Sequence, residues 1–135
     1  MQFDKMTTRI LVRGNYGECF DFYTQKIGLT AVWGDRNGPY TSFAVDAQSA
    51  PCFAIFAGKN MDMFKDYVQP VSSTQPDTVV GVIPTSNLTE DYNRLKEAGV
   101  EFIGEPQLIE YWQMTCVYFR DPEGNLLELN DATSV

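Results

Sequence analysis

The 135-residue chain contains no histidine. That absence removes the side chain that titrates nearest neutrality and most often binds transition metals. It argues against a transition-metal centre built on imidazole. Cysteine is scarce as well. Cys19, Cys52 and Cys116 are the only three, and none lies at the paired spacing that holds zinc, so we expect reduced thiols. Basic residues are few, ten Lys and Arg against eighteen Asp and Glu for a formal charge of -8. Such a surface repels nucleic-acid phosphates and anionic lipid. No apolar run approaches the roughly 20 residues needed to span a bilayer, and "MQFDKMTTRI" at the N-terminus has neither the apolar run nor the cleavage site of a leader. The expectation is a cytoplasmic protein with no nucleic-acid and no membrane partner.

The chain has 44% apolar and 13% aromatic residues, enough for a packed core. "TTRILVR" reads as a strand from Thr7 to Arg13. Tyr16, Cys19, Phe20 and Tyr23 then recur at helical spacing, and Gly28 ends that helix. Strands are predicted at Leu29 to Asp35, Tyr40 to Asp46 and Cys52 to Gly58, separated by the turn-like "RNGP" and "AQSAP". A connector with a short helical patch, "KNMDMFKDYV", and the breaker-rich "QPVSSTQPD" leads to a strand "TVVGVIP". A helix follows in "NLTEDYNRLKEAG", with Asn87 as N-cap and Gly99 as stop. Three more strands are predicted at "VEFIGEP", "QMTCVYFR" and "NLLELN". The order βαβββ thus occurs twice, and "FYTQKIGLTAVWG" echoes "NRLKEAGVEFIGEP".

Together with "CFDFYTQKIGL", "GDRNGPYTSF" and the terminal "YFRDPEGNLLEL", this order resembles the vicinal oxygen chelate superfamily. That group includes glyoxalase I, the extradiol dioxygenases and the fosfomycin- and bleomycin-resistance proteins. The resemblance implies an α+β fold of tandem βαβββ modules forming a curved mixed sheet around a cup, helices outside. It implies one domain over 7–131, with module one at about 7–58, a connector at about 59–77 and module two at about 78–131.

In the metal enzymes of that superfamily the ligands come from the first and fourth strand of each module. The last ligand position falls on Glu128, which alternation sends into the cup with Leu126 and Asn130 while Leu127 and Leu129 face the helices. The other positions fall on Thr7 or Thr8, on Ala54 or Phe56, and near Val80. Val80, Ala54 and Phe56 cannot bind a metal, so no metal and no cofactor are expected. Two registers are open for the first strand. One points Thr7, Arg9 and Leu11 into the cup; the other buries Arg9 and Arg13 under helices, which disfavours it. In the first register Arg9 either approaches Glu128 or reaches solvent while Glu128 meets water.

The resemblance implies a homodimer and a small-molecule ligand. The leading expectation is a metal-free protein, similar to the bleomycin-resistance branch, that holds an aromatic or amphipathic compound for resistance or sequestration. Its ligand-binding candidates are Arg9, Trp33, Tyr40, Phe56, Trp112 and Glu128, with Trp112 preferred as a stacking residue because it stands beside Tyr111 at a strand entrance. The alternative is a lyase, isomerase or epimerase acting on a small oxygenated substrate, with Glu128 as the catalytic base and Arg9 or Tyr40 stabilising an oxyanion.

Overall fold

The computed structural model describes residues 6–68 and 77–131, and the chain divides into two compact units, Met1–Val71 and Ser72–Val135. In the first unit the β-branched and aliphatic run forms β1 (Thr8–Val12). Helix α1 (Tyr16–Asp21) continues through a wider, π-helical turn, Phe22–Lys26. The Thr24 hydroxyl donates to the Phe20 carbonyl at 2.8 Å. That bond competes with the helical ladder at the point where the turn widens. Gly28, at φ +91°, ends the segment, as its position in the sequence predicts.

Strands β2 (Thr30–Trp33), β3 (Tyr40–Ala44) and β4 (Phe53–Ala57) complete a four-stranded sheet in the order β1-β4-β3-β2. β1 and β4 run parallel and the other pairs antiparallel. A 3₁₀ turn at Gly58–Met63 follows, where the sequence suggests a helical patch. The predicted breaker stretch from Gln69 lies outside the described residues apart from Asp77. One face of this sheet packs under the helix. Tyr23 meets Phe53 at 4.7 Å and Phe43 at 5.8 Å between ring centroids, and Phe43 and Ile55 are fully buried there.

The second unit repeats the order. It contains β5 (Val80–Thr85), α2 (Leu88–Glu97), β6 (Phe102–Ile109), β7 (Met114–Arg120) and β8 (Leu126–Asp131), with the sheet order β5-β8-β7-β6. Asn87 caps α2 reciprocally: its side chain accepts from the Glu90 backbone N–H at 3.2 Å and donates to the Glu90 carboxylate at 3.0 Å. Tyr92 packs on Phe102 at 4.6 Å and Phe102 on Phe119 at 5.2 Å, so Phe102, Val117, Phe119, Leu127 and Leu129 form the helix-side core. Strand β6 runs three residues beyond its predicted end at Pro106. Its pairing with β7 shifts register between Ile103 and Gln107, and this irregular edge accommodates the proline.

Candidate functional site

The face of each sheet turned away from its helix carries Arg9, Tyr40 and Phe56 in the first unit and Tyr118, Glu128 and Asn130 in the second. In the first unit the strand register assigns them. Arg9 stands beside Ala54, Leu11 beside Phe56, Tyr40 opposite Phe56 and Ser42 opposite Ala54. Arg9 and Leu11 therefore point away from the helix, while Ile10 and Val12 lie on the core side. Trp33 joins the same face because the β2–β3 pairing slips between Ala31 and Trp33, placing Trp33 opposite Ser42. Gly34, at φ +84°, makes this possible. A Cβ there would lie 2.0 Å from the Tyr40 carbonyl oxygen, so only glycine lets β2 approach β3 so closely.

Four of the residues named from the sequence thus form one cluster. Trp33 meets Tyr40 edge-on at 5.9 Å and Tyr40 meets Phe56 at 5.7 Å. The Arg9 guanidinium lies over both rings, 5.0 Å from the Tyr40 centroid and 5.9 Å from that of Phe56. It donates to the Tyr40 hydroxyl from Nε at 3.4 Å and from Nη2 at 3.3 Å. Phe56 is buried, Tyr40 half-buried, and Trp33 is 66% exposed. The hairpin bearing Tyr40 is tied to α1 by Arg36, which grips the Asp21 carboxylate through Nε at 2.9 Å and Nη2 at 3.0 Å. The Tyr16 and Thr41 hydroxyls share a further bond beneath it, and burial pushes the Tyr16 phenol above its ordinary range.

In the second unit Glu128 stands between Val82 on β5 and Tyr118 on β7. It is only 5% exposed, yet its charge is met within its own sheet. The Tyr118 hydroxyl donates to one carboxylate oxygen at 2.5 Å, and Asn130 Nδ2 donates to the other at 2.7 Å. A phenol and a carboxamide on the same face thus satisfy the carboxylate that interrupts the apolar "LLELN" strand. The hydrogen bond to Glu128, followed by burial, pushes the Tyr118 phenol up to about 12. Burial, and then the Glu128 charge, push the Cys116 thiol up. Asn130, 4% exposed, keeps its Oδ1 without a hydrogen-bond partner. Tyr118 and Asn130 are the partners that sequence reasoning did not assign to Glu128. Their common face is readable from alternation; their bonds to one carboxylate are not.

The turn that aims β8 is fixed by Asp121, whose Oδ1 accepts from the backbone N–H groups of Glu123 and Asn125, each at 2.9 Å. Arg120 braces it by donating to the Gly124 carbonyl at 2.8 Å while pairing with both Asp77 oxygens at 2.9 and 2.7 Å. Trp112 is 49% exposed in the turn between β6 and β7.

The residues present do not fit the superfamily's metal. Val82 stands beside Glu128, Ala54 and Phe56 occupy the comparable face of β4, and the chain has no imidazole. Among the described residues no three Cys, Asp or Glu side chains converge as a metal-holding group. Nor is any described helix long and apolar enough to cross a membrane.

Comparison with known proteins agrees with this architecture. The chain is 29% identical over 113 residues to the uncharacterized protein YurT of Bacillus subtilis (strain 168), covering 81% of this chain and 84% of that one. A glyoxalase/bleomycin resistance protein/dioxygenase from Nocardioides superposes with a TM-score of 0.73 at 22% identity, covering 97% of this chain and 85% of its own. A protein of unknown function from Agrobacterium tumefaciens str. C58 gives 0.74 at 16% identity, covering 98% and 97%. A superfamily member from Sphaerobacter thermophilus DSM 20745 gives 0.67 at 20% identity, covering 97% and 99%. These likenesses establish the fold, and the family model matched over residues 5–129 establishes descent: the chain belongs to the glyoxalase/bleomycin resistance protein/dioxygenase superfamily.

Proposed function

We propose that this protein is a metal-free, cytoplasmic small-molecule-binding member of its superfamily, acting by sequestration, with the Arg9–Trp33–Tyr40–Phe56 face as its ligand-holding surface. The observation that carries this reading is the three-ring cluster on the sheet face away from the helix, capped by a guanidinium and left open at Trp33. Aromatic side chains placed this way offer a flat apolar platform, and a few polar groups beside it fix orientation. Cysteines that form no disulfide suit a reducing compartment. The outer strands of each sheet, β1 and β2 in one and β5 and β6 in the other, offer sheet edges through which two copies can associate as a homodimer. The experiment is calorimetric titration with flat aromatic compounds. Trp33→Ala should weaken binding by about 1–3 kcal/mol through lost apolar contact. Binding unaffected by Trp33→Ala would refute the assignment.

A second reading rests on Glu128, a carboxylate buried beside a phenol and a carboxamide. In it the protein is a lyase, isomerase or epimerase of a small oxygenated substrate, and Glu128 removes the proton. Each carboxylate oxygen accepts one hydrogen bond and keeps a second lone pair that can take the proton. Turnover of such a substrate that disappears in Glu128→Gln would favour this reading over the first.

A further inference from the structure

Resting on the binding role proposed for the Arg9 face, we propose that its ligand is a planar anion, an aromatic ring bearing a carboxylate. Within the first unit Arg9 has no acidic partner among the described residues, whereas Arg36 pairs with Asp21, and in the second unit Arg94 with Asp91 and Arg120 with Asp77, and acidic side chains outnumber basic ones eighteen to ten over the sequence. Arg9 is held in place by other means: two long bonds to the Tyr40 hydroxyl, at 3.3 and 3.4 Å, and stacking over Tyr40 and Phe56. A guanidinium carries five N–H donors in a rigid fork, so most of its donors remain free for a carboxylate. Arg9 and the exposed Trp33 edge both lie against one ring, Tyr40, at 5.0 and 5.9 Å. A ligand whose ring rests against Trp33 and Tyr40 can therefore turn its acid group toward Arg9 across the Tyr40 ring. A neutral ring gains only the stacking, and a cationic one is repelled by Arg9.

The test uses three probes of one shape, 4-nitrobenzoate, 4-nitrobenzyl alcohol and 4-nitrobenzylammonium, whose nitro-aromatic ring quenches tryptophan. A Trp112→Phe background leaves Trp33 as the only reporter, since Trp33 and Trp112 are the two tryptophans. The carboxylate should quench saturably with a dissociation constant about tenfold or more below that of the alcohol, a ratio expected of a charge-assisted bond. The ammonium should bind weakest. Arg9→Gln should collapse the carboxylate-to-alcohol ratio toward one, and Tyr40→Phe, which keeps the ring and removes only the hydroxyl seat of Arg9, should reduce it. Should the alcohol bind as tightly as the carboxylate, or the ratio survive Arg9→Gln, the anion inference fails while the binding face stands. Should none of the three quench saturably, the binding face itself is refuted.

Discussion

Replacing Tyr118 by Phe removes one oxygen and, with it, the donor that satisfies half of a buried carboxylate. The phenol is raised from 10.0 to about 12, chiefly by its bond to Glu128. Such a rise corresponds to at most about 2.7 kcal/mol favouring the protonated phenol in the folded state. Because Tyr118 is only part-buried, solvent screening reduces this to about 1–2 kcal/mol. The same figure follows independently from the usual worth of a hydrogen bond to a charged group, about 1.5–3 kcal/mol before partial exposure is allowed for. The sign of the pH dependence is fixed by the direction of the shift. The folded value exceeds the unfolded one, so the contribution is complete below pH 10 and fades as the pH rises toward 12. Urea unfolding of both proteins at pH 9 should therefore give a difference of about 1–2 kcal/mol that shrinks at pH 11. All other groups are common to both proteins and cancel from the comparison. A difference below about 0.3 kcal/mol at pH 9, or one that stays constant to pH 11, would show that the bond to Glu128 does not support the fold as argued.

Gly34→Ala should destabilise the protein by about 2 kcal/mol or more, because the new Cβ meets the Tyr40 carbonyl oxygen at a φ of +84°. Thermal melting and the near-ultraviolet dichroism of Trp33 should change together, and an unchanged melting temperature would contradict the close approach of β2 to β3. Nickel, zinc, manganese or iron should leave the melting temperature unchanged, since Val82, Ala54 and Phe56 stand where ligands are needed; a metal-induced rise that is lost in Glu128→Gln would count against this. Light scattering at micromolar concentration should report a dimer, and a monomer mass independent of dilution would remove the edge-pairing argument.

The residues that were legible in the sequence are those whose environment is local or periodic. Asn87 and Glu90 announce the start of α2 because a cap needs only a few neighbouring residues, and Gly99, at φ +91°, marks its end for the same reason. Alternation sends Glu128 and Asn130 to one face because a strand has a period of two. What the sequence hid depends on departures from regular pairing or on contacts between distant strands. Trp33 reaches Tyr40 only through a slip beside Gly34, and one residue of slip exchanges the faces of a strand. Pro106 read as a stop because the irregular β6–β7 pairing that tolerates it is a property of two strands. The pairing of Tyr118 with Glu128 joins two strands and follows from their register, which no single segment specifies.

The central claim is that the aromatic face of the first unit holds a ligand. Two-dimensional NMR of the uniformly labelled protein, titrated with 4-nitrobenzoate, tests it most directly. The account predicts saturable shifts at the Arg9 Nε–H, the Trp33 indole N–H and the ring signals of Tyr40, with the helix-side rings of Tyr23, Phe43 and Phe53 unmoved. Shifts confined to Tyr111 and Trp112, or centred on Tyr118 and Glu128 with the Arg9 and Trp33 signals unchanged, would contradict it.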